Sequence, residues 1–173
     1  PQILFNDGYY DLIDVRIPEG SLLKPKFPAA LSGRTHVLGR LFDILGGLLG
    51  QKTPEFLNAA GFSSSPHLFY AGTDKQGNWF QLFQIGFGGI PGRPMGDGPD
   101  GHSLWPGFTN VPNEFLERYF PLLIENYETV PDSGGAGLHR GGNGINMTYR
   151  FLADGTISAH DDRWFVPPWG VNG

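Results

Sequence analysis

The chain alternates between runs with a clear hydrophobic period and long stretches with none. Ile13, Val15 and Ile17 alternate with Asp14 and Arg16, the period-two pattern of a half-buried strand, and Pro18-Glu19-Gly20 closes it. From Thr35 the period lengthens. Leu38, Leu41, Phe42, Leu45, Leu48 and Leu49 recur at spacings of three and four, which predicts a helix with one apolar face. The Gly46-Gly47 pair within it would cost about 2 kcal/mol against alanine in an exposed helix. Its presence therefore predicts a close contact there, with another helix backbone as the expected neighbour. Thr53-Pro54-Glu55 predicts a second, short helix that ends before Gly61, with threonine as the cap and proline in the first turn.

Beyond the Ser63-Ser64-Ser65-Pro66 loop, His67 to Tyr70 and Trp79 to Ile85 are β-rich runs joined across Gly72 to Gly77, and they should pair as antiparallel neighbours. Between Gly86 and Gly107 glycine and proline recur every two or three residues and no period survives, so this is the longest loop of the chain. Pro112-Asn113-Glu114 opens a short helix through Phe120, with glutamates favoured in its first turns by the helix dipole. Leu122 to Thr129, Ile145 to Leu152, Thr156 to His160 and Trp164 to Val166 read as strands, the middle two turning at Ala153-Asp154-Gly155. The sum is an α+β fold of mainly antiparallel strands, two or three short helices and long Gly/Pro-rich loops.

Composition narrows the class. With 173 residues, 39% apolar and 14% aromatic, the chain supports one ordinary domain with a core, residues 1–173 being a single domain or a fragment. The 27 glycines and 15 prolines lack a collagen period, so they mark turns. A formal charge of -5 with basic residues scattered singly offers no stripe for phosphates or an anionic membrane, so nucleic acid and membrane are not expected partners. The apolar stretch around Val37 to Leu49 is interrupted and falls short of the ~20 residues a membrane span needs. There is no cysteine, which removes disulfides and thiolate zinc sites. No charged-then-apolar leader stands at Pro1, and a reducing cytoplasm fits. The chain opens on Pro1 without methionine and stops in a turn at Gly173, so it reads as a piece of a longer polypeptide.

Candidate chemistry gathers in two glycine-dense loops. Gly96 to Gly101, GDGPDG, matches the G-x-G-x-x-G expression, yet the dinucleotide mechanism needs a strand before it and a helix after it, and neither is expected here. Asp97, Asp100 and His102 are acceptable ligands for a divalent metal. They read more readily as turn-capping aspartates and an ordinary hydrogen-bonded histidine, because cage-like metal sites draw ligands from more than one element. Arg93, between Gly92 and Pro94, is a planar fork suited to a carboxylate or phosphate, or to bridging loop carbonyls. The second loop runs Asp132-Ser133-Gly134-Gly135, then Arg140-Gly141-Gly142-Asn143-Gly144; its amides could form an anion nest. Ser133 lacks a G-x-S-x-G elbow, and the segment reads chiefly as tight turns. His160-Asp161-Asp162-Arg163 reads as a salt-bridged turn, and Trp105, Phe108, Trp164 and Trp169 as cover for loops or a subunit contact.

Taken together, GGIPGRPMGDGPDGHSLWPGFTNVPNEFLERYFPL (Gly88 to Leu122), DSGGAGLHRGGNG (Asp132 to Gly144) and the closing DDRW and PPWGVNG resemble the C-terminal portion of hydantoinase B/5-oxoprolinase B-type subunits. Asn6 to Ala30 is similar to the same family in order and spacing, so the resemblance covers essentially the whole chain. It implies an enzyme that activates a lactam, hydantoin or enolate oxygen with ATP, then hydrolyses or carboxylates the product. The implied partners are an A-type ATP-binding subunit carrying ATP and magnesium, the N-terminal part of the B-type subunit, and a small-molecule substrate. The G-R-P-x-G-D-G-P-D-G-H-S form is similar to the acetone and acetophenone carboxylase branch. The family's metal motif belongs to an N-terminal region with no counterpart here, so a manganese or zinc ion is expected outside this segment. On this reading Arg93, Asp97, Ser103 and Arg140 bind substrate, and Asp100 and His102 orient it or move protons. The alternative is a noncatalytic assembly subunit.

Overall fold

The computed structural model describes residues 6–62, 66–105 and 107–171. The expected serine loop at 63–65, Pro106, Pro1 and the closing 172–173 lie outside the described residues. The chain divides into two compact units, residues 1–33 and 34–173.

The first unit holds a 3-10 helix over Asp7–Leu12 and a turn at Pro18 to Lys24. That turn is closed by Ser21 N–H on the Pro18 carbonyl (3.3 Å) and Lys24 N–H on the Ser21 carbonyl (3.1 Å). The predicted strand at Ile13 to Ile17 does not form. Alternation makes a segment fit to pair, but pairing needs a second edge, and the first unit has no other strand among its described residues. Ile13 and Val15 are exposed, and the intervening Asp14 and Arg16 close on each other at 2.6 Å.

In the second unit, α1 spans Arg34–Gly50, as the three-four spacing predicts. The glycine pair does mark a close contact, though not with a helix: a Cβ on Gly47 would meet the Trp169 indole at 3.1 Å. The predicted second helix shrinks to one 3-10 turn, Pro54–Phe56. Thr53 does not cap it, because its hydroxyl donates instead to the Leu49 carbonyl at the end of α1 (3.2 Å).

β1 (His67–Thr73) and β2 (Trp79–Ile85) form the predicted antiparallel hairpin, with His67 opposite Ile85 and Thr73 opposite Trp79. Asp74 sets the turn by accepting the N–H groups of Gln76 (2.9 Å) and Asn78 (2.8 Å), the behaviour that makes aspartate a turn residue. α2 (Asn113–Tyr119) follows Pro112, and β3 (Leu122–Thr129) pairs antiparallel with β4 (Ile145–Phe151). β5 (Gly155–His160) returns to the first sheet, giving the order β2-β1-β5.

Two expectations are corrected at this end. The Ala153-Asp154-Gly155 turn does not close a hairpin between its flanking strands; it carries the chain from one sheet to the other. Trp164 to Val166 is not a strand. Arg163 there adopts φ 73° and its guanidinium donates to the Pro167 carbonyl (3.1 Å), folding the backbone over itself, and the following Pro167-Pro168 has no N–H to offer a ladder.

The two sheets meet α2 in one small core of Tyr70, Phe80, Leu82, Leu116 and Leu122, bordered by Phe120, Ile124, Tyr149, Phe151 and Ala153. Tyr70 is 1% exposed and stands between Phe80 and Phe151, with ring centroids 4.7 and 4.5 Å away. Its hydroxyl donates to the Ala153 carbonyl at 2.7 Å, which satisfies the one polar atom such burial would otherwise orphan. No helix among the described residues is long and apolar enough to cross a membrane.

Candidate functional site

The two glycine-dense loops are one structure. Ile90 N–H donates to the Pro99 carbonyl (3.0 Å), Gly142 N–H to the Ile90 carbonyl (2.8 Å), Gly98 N–H to the Arg140 carbonyl (2.8 Å) and Gly101 N–H to the Asn143 carbonyl (3.0 Å). Backbone therefore lies directly on backbone. A Cβ on Gly98 would collide with the Ile90 carbonyl, and one on Gly142 with the Pro99 carbonyl, so glycine is needed there for proximity.

Side chains clip the same layers together. Asp100 Oδ1 accepts Arg140 Nη1 at 2.9 Å and the Asn143 N–H at 2.8 Å. The guanidinium, and then that amide, hold the Asp100 carboxyl below its ordinary range, while Asp100 raises the proton affinity of Arg140. Asp97 Oδ1 accepts the Arg140 N–H at 3.0 Å and lies 3.7 Å from Nδ1 of His139. Arg93 Nη2 donates to the Asp97 carbonyl at 2.8 Å, closing the tight Arg93–Gly96 bridge.

His102 pairs through its backbone with Gly88 and holds Nδ1 at 3.0 Å from the Ser103 carbonyl. Ser103 is buried, its hydroxyl donating to the Trp105 carbonyl (2.9 Å) and accepting the Trp105 N–H (3.1 Å). Asp97, Asp100 and His102 thus point to separate partners. No group of three or more His, Asp or Glu side chains among the described residues is arranged to hold a metal, so these residues do not fit the divalent ion the family resemblance implies. The anion nest is also engaged internally: Gly134 N–H goes to Asn143 Oδ1 (3.0 Å), Gly141 N–H to the Gly135 carbonyl (2.9 Å) and Gly144 N–H to Ser133 Oγ (2.8 Å). Ser133 is a turn residue, its hydroxyl donating to the Val130 carbonyl at 2.7 Å. Nor does a helix follow Gly96 to Gly101, the context a dinucleotide fingerprint requires.

On one side of this stack opens a cleft of about 690 Å³, lined by Gly89 to Pro94, by the 133–144 loop, by Pro54 to Phe62 and by Trp169. Of Arg93, Asp97, Asp100, His102, Ser103 and Arg140, only Arg93 lines it. The other five sit in or beside the stack that supports its wall. The lining also includes Glu55 and His139, to which the sequence reading gives no part in the chemistry. His139 stands beside Arg140 in the second loop, but its proximity to Asp97 bridges 42 positions and leaves no mark in local spacing. The volume falls in the 300–1,000 Å³ range of small-molecule sites, and the wall combines an apolar body (Ile90, Leu57, Phe62, Trp169) with a cation and an imidazole.

The far rim is held by charge. Arg163, its side chain 7% exposed, pairs with Asp43 of α1, and Asp43 also pairs with Arg40 (2.9 Å). Asp43 Oδ1 accepts the Gly61 N–H at 3.2 Å, and the Ala60 N–H donates to the Trp169 carbonyl at 2.9 Å. The His160 to Arg163 cluster, expected to carry its own counter-charge, pairs with α1 instead: Arg163 with Asp43, and Asp162 with Arg40, whose Nε lies 3.0 Å away.

Known proteins place this architecture. The chain is 34% identical over 173 residues to an uncharacterized protein of Methanocaldococcus jannaschii, covering 99% of this chain and 30% of that protein. It is 31% identical to a Pseudomonas protein provisionally described as the B-type subunit of a D-/L-hydantoinase, over 96% of this chain and 28% of the relative. It is 29% identical to the 5-oxoprolinase of Saccharomyces cerevisiae, over 99% and 14%. The chain thus spans less than a third of the length of these curated relatives. The family model described as hydantoinase B/oxoprolinase matches residues 1–173, and the chain belongs to that family.

Proposed function

We propose that this chain supplies one wall of the substrate site in a multisubunit, ATP-dependent hydrolase of hydantoinase or 5-oxoprolinase type. The cleft with Arg93 on its wall carries this reading. A guanidinium offers paired N–H donors to a carboxylate or to the polarised oxygens of a cyclic amide, and the apolar lining would hold the ring. Relatives described as a hydantoinase B-type subunit and as 5-oxoprolinase support the reaction class. ATP and its magnesium belong to an A-type partner subunit, and a manganese or zinc ion to the N-terminal part of the B-type subunit. Carboxylation of a ketone is the variant of this reading in which Arg93 holds carbonate. Asp97, Asp100, Ser103 and Arg140 act by fixing the wall, and His102 tests the proton-moving role. In the assembled enzyme, Arg93→Ala should lower kcat/KM for a cyclic amide by roughly 30- to 100-fold, the loss of one charged hydrogen-bonding group, with circular dichroism unchanged. Full activity in both Arg93→Ala and His102→Ala would overturn the proposal.

A noncatalytic assembly role is the second reading. The internal engagement of Asp97, Asp100 and Arg140 favours it for those three residues. Size-exclusion chromatography with and without an A-type chain separates the two: a scaffold assembles, and its loop variants leave turnover unchanged.

A further inference from the structure

Three imidazoles from three elements converge at one end of the three-stranded sheet. His67 opens β1 and faces His160 of β5 across the ladder. His36, in the first turn of α1, sets its ring 5.1 Å from that of His67, edge to face at 77°. The remaining surround is aromatic. Phe83 of β2 lies 5.1 Å from His67, and Phe69 of β1 lies 6.3 Å from His67 and 5.3 Å from His160.

The arrangement opposes a charge on His67. The charged groups acting on His67 are His36 from α1 and His160 from β5, β2 contributing only a phenyl ring, and no carboxylate stands among them. Burial first, and then those two imidazoles, hold the His67 pKa below its ordinary 6.5. His36 Nε2 is buried without a hydrogen-bond partner. His160 is exposed and its Nε2 meets Ser158 Oγ at 3.1 Å.

We propose that this cluster is an acid-sensitive latch: uncharged, it seats the first turn of α1 beside β1 through His36 and His67, and protonation releases that turn. From Arg40 onward the helix stays anchored, because Arg40 pairs with Asp162, Asp43 pairs with Arg163, and Gly47 packs on Trp169. The direction follows from linkage. A histidine whose folded pKa lies below its unfolded value binds its proton more readily once released, so the latch is fully closed above about pH 6.5 and weakens as the pH falls below it.

Hydrogen–deuterium exchange on the whole chain, corrected for the intrinsic pH dependence of exchange, reads this directly. Between about pH 7.5 and pH 5.5, protection of residues 38–40, whose amides bond to the carbonyls of the first turn, should fall, by at most the roughly tenfold that one released histidine of ordinary pKa supplies at pH 5.5, while that of residues 44–50 holds. His67→Gln should flatten the response. If His67→Gln does not fold, His160→Gln removes one of the three charges at an exposed site and should move release to lower pH. Constant protection of residues 38–40 in the unsubstituted chain would overturn the proposal, as would an unaltered response in whichever variant folds.

Discussion

Arg140 Nη1 reaches Asp100 Oδ1 at 2.9 Å across 40 positions of sequence, and the same carboxylate oxygen takes the Asn143 N–H at 2.8 Å. One side chain of the first glycine-dense loop therefore fixes both the backbone and the guanidinium of the second. Because Asp100 titrates below its ordinary 3.8, its contribution to stability is present above that pH and is lost as the pH falls through the lowered value. Thermal melts of Asp100→Asn should fall short of those of its parent at neutral pH and converge on them as the pH drops below 3.8. Both side chains are substantially exposed (36% and 45%), so solvent screening keeps the difference small.

The backbone stack predicts a contrast between two glycines of the same loop. A methyl on Gly142 has no room beside the Pro99 carbonyl, whereas nothing lies within 4 Å of the Cβ position on Gly135. Gly142→Ala should lower the melting temperature and deform the cleft, and Gly135→Ala should change the melting temperature little. Parallel calorimetry of the two variants checks this.

Tyr70 offers a measure of the core. Truncation to alanine should cost about 3–5 kcal/mol, as for other large aromatic core residues. Tyr70→Phe keeps the ring and leaves the Ala153 carbonyl without its donor, a loss of about 1–3 kcal/mol. Denaturant titration of both variants separates packing from hydrogen bonding.

Arg163 and Asp43 are the most buried ion pair described, at 7% and 14% side-chain exposure. Arg163→Ala strips Asp43 of one of its two cations and frees the Val166 and Pro167 carbonyls. The expected cost is about 3–5 kcal/mol, typical of breaking one side of a buried pair. Asp43→Asn with Arg163→Gln should recover part of it, measured by a double-mutant cycle.

Local pattern made much of the fold legible. The β1–β2 hairpin, α2, β3 and the length of α1 follow from periodicity and turn chemistry that act within a few residues. What escaped were relations between distant segments. Ile13 to Ile17 has the pattern of a strand and no partner among the described residues, and β4 and β5 flank a turn yet join different sheets. Thr53 looks like a cap, but the end of α1 lies within reach of its hydroxyl first. In the site, glycine neighbours pointed to Arg93, which does line the cleft. The pairing of Asp100 with Arg140, the approach of His139 to Asp97 and the meeting of His36 with His67 are set by how loops and sheets stack, which no local spacing encodes.

The stack of the two glycine-dense loops has a mechanical consequence. Their carbonyls and amides interlock where no side chain could intervene, so neither loop can shift without carrying the other, and they behave as a single stiff plate. The opposite rim is built differently, from one 3-10 turn, the 57–62 segment and an indole seated on the glycines of α1. That rim is itself bonded to the plate, Ala59 N–H donating to the Gly92 carbonyl (3.2 Å) and Ala60 N–H to the Trp169 carbonyl (2.9 Å), so main-chain bonds set the spacing between Trp169 and Arg93.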